Sequence, residues 1–163
     1  MNINLNCPIN LTGYGVASFN ILKELLHIDN ISLFPIGQPS VQSKLDYDLI
    51  SSLLSNHQYI DPKGPCVKIW HQFDLATRIG NGKYFAYPFF ELDTFNEYEK
   101  MHLAIPDVII ASSQWSKNVL QENGIKSNID VVPLGVDSSI FNSSISRTQH
   151  NDNYVFLTIG KWE

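Results

Sequence analysis

His71 directly follows the apolar run Val67-Lys68-Ile69-Trp70, a position from which an imidazole can bond a sugar hydroxyl or act as a base near neutral pH. Its structural alternative is a histidine bonded to a neighbouring loop. Glu91 and Asp93 come two residues apart after another apolar run, so in extended geometry both carboxylates can face one side as an acid/base pair. Asp93 has a simpler role near a helix start, which leaves Glu91 as the better functional candidate. Gly13-Tyr14-Gly15 precedes a helical pattern, and a glycine turn there lets a backbone approach a phosphate or hydroxyl beside free helix N–H groups. It serves equally as a tight turn with no ligand, and the third glycine of a dinucleotide fingerprint is missing. Ser112-Ser113 and Gly135-Val136-Asp137 complete the polar or glycine-containing segments that follow apolar runs. Trp70, Trp115 and Trp162 read as packing residues.

Other chemistries find little support. His27, His57, His102 and His150 show no metal-ligand spacing with one another or with Cys7 and Cys66, so no metal or other cofactor is expected. The two cysteines read as buried free thiols of a reducing cytosol. There is no Gly-x-Ser-x-Gly elbow, no phosphate loop and no Cys/His pair of the kind used in covalent catalysis. A net charge of -5 supplies no basic field for a phosphate backbone, which argues against nucleic acid as a partner. No leader-like segment opens the chain and no run reaches the ~18 apolar residues of a membrane span, so a cytoplasmic protein is expected. The sequons at Asn10 and Asn142 then count as chance occurrences.

Strands and helices must position these residues. The 163 residues are 44% hydrophobic, 12% aromatic and 17% charged, the make-up of a packed chain with one sizeable core. Alternation in Ile3-Asn4-Leu5-Asn6-Cys7 predicts a strand, and Phe19, Leu22, Leu25 and Leu26 predict a helix over 16–28. A strand at 31–35, a helix at 41–54, a turn at 61–65, a strand at 67–70 and a buried strand from 84 to about Pro88 or shortly after follow. Thr94-Phe95-Asn96-Glu97 reads as a capping box for a helix that stops at Pro106. Next come a strand at 107–111, a helix at 114–123 capped by Ser112-Ser113 and ended by Gly124, and a strand at 128–132. Residues 142–153 read as a linker and 154–159 as one more strand. The expected fold is α/β, a Rossmann-like parallel sheet with helices on both faces. Ligands of such sheets bind at the carboxyl ends of the strands, where the residues singled out above fall.

Taken in order, Phe90-Glu91-Leu92-Asp93-Thr94, Asp107-Val108-Ile109-Ile110-Ala111-Ser112-Ser113-Gln114-Trp115, Gly124, Val131-Val132-Pro133-Leu134-Gly135-Val136-Asp137 and Phe141 resemble the group-1 (family 4-like) retaining glycosyltransferases. The tail Tyr-Val-Phe-Leu-Thr-Ile-Gly-Lys-Trp-Glu over 154–163 looks like the first strand of their second domain. The resemblance covers the Gly13-Tyr14-Gly15 turn and nearly everything after Val67, and leaves 31–65 without a motif. It implies one half of a GT-B fold: an acceptor-side domain over 1–141, a linker over 142–153, and the start of a donor-binding domain over 154–163. The implied substrates are a nucleotide sugar and a glycan or small hydroxyl acceptor, with sugar transfer requiring the missing half.

By this resemblance Gly13, Tyr14 and Gly15 approach the donor phosphate or acceptor, His71 and Glu91 face the cleft, Ser113 caps a helix beside it, Gly135 and Val136 mark the interdomain crossing, and Lys161 meets the donor diphosphate. No residue is assigned a catalytic role. An uncovered cleft or terminal strand would favour self-association. The other readings are a sugar- or protein-binding module without catalysis and a flavodoxin-like domain that binds a small anion at the glycine turn.

Overall fold

The computed structural model describes residues 2–55, 60–144, 156 and 158. Six strands, β1 (Asn2–Cys7), β2 (Asn30–Pro35), β3 (Cys66–Lys68), β4 (Tyr84–Ala86), β5 (Val108–Ala111) and β6 (Asn128–Val131), form one sheet in the order β2-β1-β3-β4-β5-β6. Every neighbouring pair is parallel. Four helices accompany them: α1 (Gly13–Leu25), α2 (Lys44–Ser55), α3 (Glu97–Leu103) and α4 (Gln114–Glu122). The expected α/β, Rossmann-like arrangement is therefore present. Among the described residues no helix is long and apolar enough to cross a membrane.

The sequence alternation explains the two layers. Leu5 and Cys7 of β1 and Ile31 and Leu33 of β2 share a core with Leu22 of α1 and Ile50 of α2. Ala86, Ile109 and Ala111 turn the other way in the pleat and pack with Leu103 of α3 and with Val119 and Leu120 of α4. The winding moves outward from β1 to β2 and then returns to β3 on the far side of β1 before continuing to β6. β1 and β3 thus flank the topological switch point, where loops diverge at the carboxyl edge and leave room for a ligand.

Several boundaries differ from those read in the sequence. The third strand stops at Lys68 and the fourth at Ala86, although Tyr87 N–H still donates to the Lys68 carbonyl (2.8 Å). Pro88 has no N–H to extend the ladder, so residues 87–90 turn into the edge loop. The capping box also lies two residues later than expected. Asn96 accepts from Glu99 N–H (2.9 Å) while Glu99 accepts from Asn96 N–H (2.9 Å). Thr94 and Glu97 have the same spacing, but Phe95 is buried and its N–H is held by Asn123 Oδ1 (2.9 Å), which keeps the chain extended past Thr94. Glu97 pairs instead with Lys100 (3.0 Å). Ser113 caps α4 by accepting from Ser116 N–H (3.1 Å), and Gly124 takes a φ of 79° directly after the helix, as the sequence predicted. The strand expected at 154–159, the residues after 144 in the expected linker and Lys161 lie outside the described residues, except Phe156 and Thr158, neither of which is in a strand.

Candidate functional site

Three loops converge at the switch point. The one after β1 carries residues 8–12 into the first turn of α1, the one after β3 carries Trp70, His71 and Phe73, and the one after β4 carries Tyr87, Phe89 and Glu91. Tyr14 joins them. Its ring lies 4.6 Å from the His71 ring, 5.6 Å from Trp70 and 5.1 Å from Phe89, centre to centre. Its hydroxyl donates to the Phe89 carbonyl (2.6 Å) and accepts from Phe89 N–H (3.1 Å). Burial pushes the Tyr14 phenol up to about 12, with the Glu91 charge adding to the shift. The hydroxyl is thus neutral at physiological pH and committed to the backbone, so Tyr14 acts as a wall and a clamp.

His71 is enclosed by rings. It stacks on Phe73 at 4.9 Å with a 9° interplanar angle and meets Trp70 at 4.7 Å. Desolvation lowers its pKa below the ordinary 6.5, and the Asp74 carboxylate opposes that shift. The imidazole is therefore neutral at pH 7, with one nitrogen able to accept a hydroxyl proton and the other to donate.

The two glycines of the turn have different jobs. A Cβ on Gly15 would fall on backbone atoms of Asn10, so the loop closes onto α1 only because that side chain is absent. Gly13 has nothing within 4 Å of a built Cβ and opens onto free space. The N-cap Thr12 makes no side-chain cap, and the first turn of α1 holds no acidic residue. The amides of residues 13–15 have no partner within the helix, which leaves donors aimed at the carboxyl edge.

The structure thus brings Gly13, Tyr14, Gly15 and His71 to one edge, with Glu91 exposed close enough to act on Tyr14. Ser113 stands further along that edge at the start of α4, where Trp115 lies 6.0 Å from Phe90. Gly135 and Val136 are exposed on the segment after β6. That segment is tied to β4 by the Tyr87 hydroxyl, which donates to the Val132 carbonyl (2.6 Å). Further on, the Asp137 pKa is lowered mainly by its hydrogen bonds with Ser139 and also by the Lys23 charge on the last turn of α1.

Sequence reading missed what holds the β3 loop. Buried Lys68 donates to Thr77 Oγ1 (3.0 Å) and lies 3.7 Å from the half-exposed Asp74 carboxylate, which in turn accepts from Trp70 Nε1 (3.1 Å). Gln72 donates to buried Glu99 (2.9 Å), and Leu75 N–H donates to His102 Nδ1 (3.0 Å). A lysine inside an apolar strand was the available signal, because a buried ammonium needs partners. With these ties, two of them to α3, the loop presents Trp70, His71 and Phe73 although no helix lies between β3 and β4.

The carboxyl edge is open. Leu11, Phe73, Leu92, Trp115, Leu134 and Val136 follow or flank the strand ends there and are 43–73% exposed. A cavity of about 210 Å³ lies between the loops after β1 and β2 and the flank of α1 away from Tyr14, and another of about 350 Å³ lies against α3 and residues 123–126. No group of three or more His, Cys, Asp or Glu among the described residues could hold a metal ion. No family model matches the chain, and no curated protein is significantly similar to it.

Proposed function

We propose that this fold is the acceptor-side wall of a nucleotide-sugar-dependent glycosyltransferase of the two-Rossmann-domain kind, with the donor held by a second domain of the same architecture. The observation that supports the reading best is the Tyr14–His71 contact at the switch point, beside free helix amides and a neutral imidazole. In this reading His71 bonds an acceptor hydroxyl, Glu91 stands at the rim, and the amides of residues 13–15 face the negatively charged part of the donor. Gly135 and Val136 lie on the path between the two walls, and Lys161 is assigned to the donor diphosphate. The exposed apolar residues of the carboxyl edge are the surface such a second wall would cover, and the same surface would support self-association where it is left open. Two buried free cysteines agree with a reducing, cytoplasmic location. Transfer needs both walls, because the donor must be positioned and its leaving diphosphate stabilised.

Titration of the isotopically labelled chain followed by NMR tests this. Methyl glycosides are expected to shift the His71 ring, the Trp70 indole N–H and the amides of residues 13–15, and His71→Gln should weaken that binding by about 3- to 10-fold, the worth of one neutral hydrogen bond. Shifts with inorganic pyrophosphate and with no sugar would instead establish a small-anion domain. Silence from both classes of ligand would refute a site at this edge.

A further inference from the structure

On the opposite flank of α1 from the aromatic cluster lies the cavity of about 210 Å³. Its floor is built by backbone bonds between the loops after β1 and β2: Ser40 N–H donates to the Ile9 carbonyl (2.8 Å) and Ile36 N–H to that of Cys7 (2.9 Å). Val16, Phe19, Asn20 and Lys23 lie at helical spacing on one stripe of α1 and form one wall. Gln42 and Asp46 stand on the other.

The lining selects a ligand class. It carries one cation, Lys23, whose charge also acts on Asp137, and one anion, Asp46, so it offers no net positive charge to select an anion. Lys23 lies over the Phe19 ring, with its ammonium 4.9 Å from the ring centre. Asp46 spends one carboxylate oxygen on Ser43 (2.7 Å), and Asn10 spends its carbonyl oxygen on Thr12. The second Asp46 oxygen, the Asn10 amide group and the exposed amides of Asn20 and Gln42 remain as donors and acceptors beside the apolar Val16 and Phe19. Donors and acceptors together beside an apolar wall match a neutral ring bearing several hydroxyls. The volume falls below the ~300–1,000 Å³ of pockets for larger ligands, which suits one small ring.

Position adds the second half of the inference. The body of α1 separates this cavity, which lies along Val16, Phe19, Asn20 and Lys23, from Tyr14 and His71 on the other side of the helix, and a helix is about 10 Å across. One sugar ring cannot reach both sites, whereas two linked rings can. We infer that the cavity is a subsite for a second sugar residue of the acceptor, so that the acceptor is an oligosaccharide whose reacting residue lies at His71. This deepens the function proposed above and rests on it.

The test uses the labelled full chain with methyl glycosides of glucose, galactose, mannose and N-acetylglucosamine, and with disaccharides of the same sugars. At least one disaccharide is expected to bind about tenfold more tightly than its methyl glycoside and to shift the side-chain amides of Asn20 and Gln42 together with the His71 ring. Asn20→Ala and Gln42→Ala, both at exposed positions, should remove most of that advantage while leaving the His71 shift in place. The inference is overturned if no disaccharide moves Asn20 or Gln42, or if the advantage persists unchanged in both variants. A His71 shift without an Asn20 or Gln42 shift removes only the subsite. Loss of the His71 response to every sugar removes the function as well.

Discussion

Gly13 and Gly15 stand two residues apart in the same helical turn, yet alanine at each should act with opposite sign. At Gly15 the new methyl would overlap the Asn10 backbone, which has no rotamer with which to move aside. Forcing the loop away from α1 costs about 1–3 kcal/mol as overpacking, against up to ~1 kcal/mol regained from the better helix propensity of alanine. The net effect is a destabilisation of about 1–2 kcal/mol, or a Tm lowered by roughly 2–8 °C for a chain of this size. At Gly13 the methyl meets nothing within 4 Å, and φ there is not in the left-handed region. Only the reduced freedom of the unfolded chain remains, a gain of about 0.4–1 kcal/mol. Urea unfolding of the two variants beside the parent measures both numbers. Equal effects, or a stable Gly15→Ala, would show that the loop after β1 does not close onto the helix as described. Ligand binding separates the roles further. Gly13→Ala places its methyl beside the free amides of residues 13–15, so it should weaken sugar or pyrophosphate binding while raising Tm, a combination that a purely structural turn would not produce.

The lowered pKa of His71 fixes a pH dependence. Above the ordinary value of 6.5 the imidazole is neutral in both folded and unfolded chains; as the pH falls through 6.5 the unfolded chain takes up the proton first, so stability declines and levels off below the folded pKa. The difference between parent and His71→Gln in urea unfolding from pH 8 to pH 5 should show that loss, and a flat difference would contradict it. Asn96→Ala should cost about 1 kcal/mol of stability because it removes the reciprocal cap of α3, whereas Thr94→Ala, at an exposed position two residues earlier, should change stability by less than about 0.5 kcal/mol. Burial holds the Cys7 thiol up at about 12 and also raises that of Cys66, so neither should react with a thiol reagent at pH 8 until the chain unfolds; fast labelling of Cys7 in the native chain would place it outside the core.

What was legible in the sequence was whatever depended on local spacing. Ile3, Leu5 and Cys7 alternate because they share the one face of β1 that packs into an apolar core, and the Ser113 cap with Gly124 after α4 is a matter of near neighbours. The α3 cap was misplaced because two pairs with identical spacing, Thr94/Glu97 and Asn96/Glu99, compete on local grounds. A contact 28 residues away, from Phe95 N–H to Asn123, decides between them. The site shows the same division. Gly13, His71 and Glu91 could each be suspected from following an apolar run, but their assembly is a property of strand order: β3 had to return to the far side of β1 to bring His71 against Tyr14. The buried ties through Lys68, Glu99 and His102 were hidden for the same reason, since their partners lie on the β3 loop and come within reach only once α3 packs beside it. A polar residue at a strand end therefore suggests a site only weakly. A buried polar residue that ties down a strand-end loop adds a second kind of signal, because its desolvation is compensated only while the loop keeps one shape. In this chain those ties hold the three rings of the β3 loop, Trp70, His71 and Phe73, and so mark the part of the carboxyl edge whose geometry is most strongly fixed.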